Sequence, residues 1–227
     1  MTSNRFAPTL TRLTLLIGAS LLAGAAQAAP IVQTTDFIAD GSRSNFNSFE
    51  AIPNNGTYYT GGSGPYAEGG ITVRQINGDA GNDIWVTYQP GGGDGNFGWY
   101  PNGGDAGYTQ ITLTAGGQFS DIGMLVGSGF GGGATLAYEL WNQATLIASG
   151  TMANPSNFHY LGFSGGGFDT VLLRDGFGSL RMGDGSTNAL TMDAIETAGG
   201  TVPEPSSYAL AGLALLGLAG TTRRRKA

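Results

Sequence analysis

The chain has 227 residues, no cysteine, and 10 Lys and Arg against 16 Asp and Glu. The lack of cysteine excludes a disulfide scaffold, thiolate catalysis and zinc–thiolate sites. Between residues 29 and 202 only Arg43, Arg74, Arg174 and Arg181 face fifteen acids, a balance of −11 that leaves no basic stripe for phosphates and excludes nucleic-acid binding.

Residues 1–28 begin with Arg5 and Arg12, continue through an apolar core at 13–26, and end on the small-x-small run Ala26-Gln27-Ala28. This order predicts an export signal peptide cleaved after Ala28; the alternative is an N-terminal membrane anchor. Residues 29–201 then form the body, long enough to bury one core without staples. About a fifth of it is glycine without a three-residue period, which excludes collagen. Together with aromatic and β-branched runs, this favours short strands joined by glycine turns.

In chain order, a first strand is expected at 45–52, followed by a long Gly, Tyr and Ser-rich loop. Segments 71–76 and 83–89 are β-branched or aromatic and flank Asn77-Gly78-Asp79-Ala80-Gly81, which reads as a hairpin. Residues 91–107 read as a glycine loop. In 108–114, Thr109, Ile111 and Leu113 point one way and the residues between them the other, the pattern of a half-buried strand. Further strands are expected at 119–126, 135–141, 146–152, 158–163, 168–174 and 189–196, several of them separated by glycine runs. No segment of the body has a helical period. About nine strands or slightly more predict an all-β fold, an antiparallel β-sandwich of jelly-roll type.

Three motifs bear on chemistry. Gly162-Phe163-Ser164-Gly165-Gly166 fits a Gly-x-Ser-x-Gly nucleophile elbow in letters, but no helix follows it and the single histidine, His159, precedes the serine. It therefore reads as strand and turn. Gly78 to Asp83 and Gly104 to Gly107 share the look of calcium-binding glycine repeats, yet they are two copies rather than a tandem array and read as turns. An oxygen-rich acidic β-protein nevertheless suits one structural calcium, with Glu50 and Asp193 as candidate ligands; the alternative is solvated acids at strand ends.

On the loop at 94–108, Phe97, Trp99, Tyr100 and Tyr108 interleave with Asn96, Asn102 and Asp105. Aromatic plates beside short amides and carboxylates suit a sugar ring, so Trp99, Tyr100, Asn102 and Asp105 are candidate glycan contacts. The competing and favoured reading is a lid of aromatics folded back on the core.

The chain ends on three parts in order: Val202-Pro203-Glu204-Pro205, an uncharged apolar run from about 208 to 219, and Arg223, Arg224, Arg225 and Lys226. The prolines make the first part stiff and extended. The second reads as a short membrane helix, and the cations as its stop-transfer cluster. The alternative is a buried C-terminal helix.

This tail, residues 202–227, resembles the PEP-CTERM sorting signal of Gram-negative bacteria. The resemblance implies recognition by exosortase, passage through the inner membrane, and a destination in the outer envelope or the extracellular polysaccharide matrix of a biofilm. Phe168-Asp169-Thr170-Val171 and Met192-Asp193-Ala194-Ile195 also resemble the closing strands of jelly-roll bodies joined to such tails. The leading expectation is a non-enzymatic exported protein that binds exopolysaccharide. The others are a purely structural matrix protein and a polysaccharide-acting hydrolase, for which no carboxylate pair stands out.

Overall fold

Period-two alternation of apolar and polar residues builds nearly everything in the computed structural model of the chain, which describes residues 29–51, 59–61, 65–76, 82–86, 93–100, 107–129, 133–176 and 189–199. Short strands come first: β1 (Ile31–Gln33), β2 (Arg43–Asn47), β3 (Tyr59–Gly61) and β4 (Tyr66–Glu68), with one 3-10 turn at Asp40–Ser42. Then follow β5 (Ile71–Ile76), β6 (Asn82–Val86), β7 (Phe97–Trp99) and β8 (Tyr108–Leu113). The long strands are β9 (Phe119–Ser128), β10 (Ala134–Asn142), β11 (Thr145–Asn154), β12 (His159–Phe168), β13 (Thr170–Gly176) and β14 (Leu190–Ala198).

All pairings among the described residues are antiparallel and make two sheets. An eight-stranded sheet runs β1-β12-β9-β14-β7-β6-β3, with β2 also paired to β14; a six-stranded sheet runs β11-β10-β13-β8-β5-β4. Their inner faces share one core. Ile71, Val73 and Ile111 meet Ile122, Met124 and Phe163 there, all fully buried. The Tyr138 and Phe163 rings cross between sheets at 5.0 Å, and Trp99 Nε1 donates across them to Thr109 Oγ1 at 3.0 Å. Burying such side chains stabilises the fold by about 1.5–3 kcal/mol each, which offsets the entropy lost by a glycine-rich chain.

Several expectations meet corrections. The segments at 71–76 and 83–89 are not a hairpin: β5 pairs with β4 and β8 in one sheet, while β6 pairs with β3 and β7 in the other. Both edges of β5 are already taken, so the chain crosses to the opposite sheet. The first strand stops at Asn47 because Phe49 adopts a left-handed backbone (φ 61), its N–H held by Asn47 Oδ1 at 3.1 Å. The loop at 91–107 contains strand β7, in which Phe97 and Trp99 alternate around Gly98 and both reach the core. Gly165 to Gly167 do not separate strands; they lie inside β12, where its pairing with β9 shifts between Ser164 and Phe168. The strand expected at 108–114 follows its alternation from Thr109 onward, with Thr109 and Ile111 buried and Leu113 packed on the core, whereas Tyr108 at its start is buried as well.

The signal peptide with Ala26 and Ala28, and the tail with its motif, membrane helix and basic cluster, lie outside the described residues. Among the described residues, no helix is long and apolar enough to cross a membrane.

Candidate functional site

Alternation along β9, β12 and β14 sends Met124, Val126, Leu161 and Ile195 into the core and leaves Gly123, Leu125, Tyr160 and Glu196 on the opposite face. Register lines up one row across the sheet, in which Gly162 faces Gly123, Gly123 faces Glu196, and Glu196 faces Phe46. In the next row Tyr160 faces Leu125. The two glycines leave a trough, and the Tyr160 ring leans into it. Its hydroxyl donates to Glu196 Oε1 at 3.0 Å. A Cβ at Gly123 would stand 1.8 Å from that hydroxyl, so only glycine admits the ring. Phe37 meets the ring edge-on, with centroids 6.1 Å apart.

Arg43 completes the cluster from β2. Its Nε donates to Glu196 Oε2 at 2.5 Å, a second guanidinium nitrogen lies 2.9 Å from Asp40 Oδ1, and the guanidinium carbon sits 4.5 Å from the Phe46 ring centroid. Burial raises the Glu196 carboxyl above its ordinary range, the hydrogen bonds from Arg43 and Tyr160 oppose that rise, and the nearby charge of Asp36 adds to it. Burial, with the charge of Glu196 next, also raises the Tyr160 phenol.

A cleft of about 360 Å³ opens over this face. Leu125 and Tyr160 line it from the sheet, Asp36 and Asp40 from the segment between β1 and β2, and Gly93 and Asp94 from the segment before β7. Apolar ring faces next to carboxylates and a guanidinium can hold a molecule that has both a C–H face and hydroxyl edges.

The rim at 93–97 is fastened by two carboxylates. Asp193 Oδ2 accepts the Asp94 N–H at 2.6 Å and Oδ1 accepts the Ala194 N–H at 2.7 Å; Glu50 Oε1 accepts the N–H groups of Asn96 at 2.5 Å and Phe97 at 2.8 Å. Gly95, at φ +73, is needed there, since a Cβ would stand 2.2 Å from Glu50 Oε1. Ala194 takes a left-handed backbone (φ 48) where the pairing of β14 with β9 shifts between Asp193 and Glu196. Burial pushes the Asp193 carboxyl up to about 7; the two N–H bonds oppose this, and the charges of Asp94 and Glu50 add to it.

The structure thus sets Glu50 and Asp193, the two candidate calcium ligands, on the same loop: Glu50 Oε1 and Asp193 Oδ2 accept its backbone N–H groups, while Asp193 Oδ1 accepts that of Ala194 in β14. Among the described residues, no three His, Asp or Glu side chains gather to hold a metal ion. The glycan candidates fare differently. Trp99 is fully buried, so it is a core side chain and no platform for a sugar. Tyr100 is half-buried against Gly129, where a Cβ would stand 2.7 Å from its ring. Asn102 and Asp105 lie outside the described residues. Ser164 sits in β12 and accepts a hydrogen bond from Gln33 Nε2 at 3.1 Å, with no strand–turn–helix elbow around it.

Sequence reasoning missed Arg43, Phe46, Tyr160 and Glu196 as a group. The available signal was a glycine in the middle of each of two apolar segments, Gly123 and Gly162, which marks a close approach by something else.

Two solved structures are similar to the chain at low scores. One is a family 29 carbohydrate-binding module from Piromyces equi, 14% identical with a TM-score of 0.34, covering 63% of this chain and 91% of the module. The other is a GH26-CBM35 β-(1,4)-mannanase from Podospora anserina, 11% identical with a TM-score of 0.22, covering 78% of this chain and 29% of the enzyme. No curated protein matches the chain. Residues 201–226 match the PEP-CTERM protein-sorting motif. The chain carries the signal of an exported Gram-negative protein sorted through exosortase.

Proposed function

We propose that this exported protein is a non-enzymatic component of the outer envelope or extracellular matrix whose body binds polysaccharide in the cleft over β9, β12 and β14. The observation that carries this reading is the Tyr160 ring, laid over a trough made by two glycines and hydrogen-bonded to Glu196, beside the Arg43–Phe46 stack. A stacked ring with a fixed carboxylate and guanidinium next to it matches the two faces of a sugar. The non-enzymatic part is supported by Glu196, whose two oxygens are taken up by Arg43 and Tyr160.

A jelly-roll variant of the sandwich is supported by the pairing orders β2-β14-β9-β12 and β8-β13-β10-β11, in which the chain from β8 to β14 changes sheet at every step but the β10–β11 hairpin. Before processing, the apolar run at 208–219 would hold the tail in the inner membrane, with Arg223 to Lys226 on the cytoplasmic side. The reading is tested by titrating the full chain with oligosaccharides. Tyr160→Ala is expected to weaken binding at least tenfold while the chain still unfolds in one cooperative transition, at a midpoint lowered by loss of the bond to Glu196 and the contact with Phe37. Saturable binding that survives this change would place the site away from the cleft, and no saturable binding to any oligosaccharide would leave a structural matrix protein.

A further inference from the structure

The cleft that we read as a polysaccharide site is strongly unbalanced in charge. Among the described residues, four carboxylates line it, those of Asp36, Asp40, Asp94 and Glu196, against the single guanidinium of Arg43. Arg43 is already committed, at 2.5 Å to Glu196 and 2.9 Å to Asp40. Asp36 and Asp94 add negative charge on opposite walls, and both are exposed. The backbone of Asp94 is fixed in place, its N–H held by the Asp193 carboxylate. No lysine or second arginine among the described residues lines the cleft to offset these charges.

Resting on the polysaccharide reading, we infer that the ligand is an amine-bearing glycan, a polymer of hexosamine units with free protonated amino groups, rather than a uronate-rich or neutral one. The Tyr160 ring gives the C–H face of such a unit its platform. The walls give the ammonium charge-assisted acceptors at Asp36 and Asp94. A uronate in the same place would bring a carboxylate among four others inside a body of charge −11, an arrangement that repels at range and leaves the anion unpaired on contact. The charge pattern thus selects among sugars that a ring alone would treat alike.

The test uses the full chain in mild detergent at mildly acidic pH, titrated with three probes: a β-linked glucosamine oligomer, its fully N-acetylated counterpart of equal length, and a polyuronate. The glucosamine oligomer is expected to bind tightest, with affinity falling steeply as salt is added, and the polyuronate not at all. The double variant Asp36→Asn, Asp94→Asn should lose roughly tenfold on the glucosamine oligomer and nothing on the acetylated one. The amide oxygen that Asp36→Asn leaves in place can still accept the Ile38 N–H that Asp36 Oδ1 accepts at 3.1 Å, so the turn is kept.

Equal or tighter binding of the acetylated oligomer or the polyuronate overturns the inference and leaves the polysaccharide reading in place. Glucosamine binding undiminished by Tyr160→Ala is adhesion to the acidic surface and also overturns it. Binding of none of the three overturns the inference; together with failure of other oligosaccharides it takes the reading with it.

Discussion

Two titrating side chains pull the stability of this fold in opposite directions with pH. Asp193 is pushed up to about 7 by burial, so the native state holds its proton more tightly than the unfolded chain. Its contribution is fully present below about pH 4, the ordinary aspartate value, and is lost as pH rises through about 7. Across that window it adds a slope of at most about 1.4 kcal/mol per pH unit. His159 does the reverse. Burial lowers it, the nearby Asn157 backbone opposes this without reaching hydrogen-bond geometry, and neither ring nitrogen has a hydrogen-bond partner among the described residues. Its contribution is present above about pH 6.5 and is lost as pH falls below that value. Urea titrations across pH 4 to 8 are therefore expected to show Asp193→Asn losing the acid-side gain, and His159→Phe losing part of the acid-side decline. The same slope in Asp193→Asn as in the parent would mean that Asp193 is ionised throughout. Composition made an acidic body legible, but which acid is hidden from water depends on the bulge at Ala194, and no local pattern marks that.

At the scale of the strand, the trough in β9 and β12 fixes where Tyr160 lies. Gly123 has ordinary strand geometry, so alanine there strains nothing in the backbone; the added carbon collides with the Tyr160 hydroxyl. Gly123→Ala is expected to expel the ring, break its bond to Glu196, abolish oligosaccharide binding and destabilise by about 1–2 kcal/mol. Adding Tyr160→Ala to it should recover most of that stability, a coupling read by a double-mutant cycle. Two independent losses would show that the alanine disturbs the core instead. The strands themselves were well marked in the sequence, because long alternating runs such as β8 and β9 carry their periodicity alone. What stayed hidden were pieces of three residues, β1, β3, β4 and β7, whose strand character comes from the partner and not from their own composition. Trp99 shows the consequence: in a glycine-rich stretch it looks like a displayed ring, whereas pairing with Ile84 and Met192 carries it into the core.

Across the two sheets, one end is pinned by a buried polar cluster. Asp175 accepts from Ser128 Oγ at 2.6 Å and from Asn154 Nδ2 at 2.8 Å, one bond crossing between sheets and one within a sheet. Burial raises the Asp175 carboxyl, and these two bonds oppose the rise. Ser128→Ala removes one of the donors to a carboxylate in a dry setting. It should destabilise by about 1–2 kcal/mol in urea melts, more at neutral than at acid pH.

The cleft and the tail differ in how openly the sequence shows them, for a physical reason. A sorting signal is read by another protein as an extended, linear string, so its prolines, apolar run and cations must stand in order in the chain. The cleft is read by its ligand in three dimensions, and residues as distant as Asp36 and Glu196 meet only after β2, β9, β12 and β14 pair. The tail can accordingly fail while the body folds. Replacing Pro203 and Pro205 by alanine removes the two fixed-φ residues from the motif that a processing enzyme would read. The expected outcome is a full-length precursor retained with the membrane fraction and nearly no shortened form, detected by intact mass, while the body keeps its parental melting midpoint and oligosaccharide affinity. A shortened, exported product from the proline variant would show that processing reads the apolar run and the basic cluster alone.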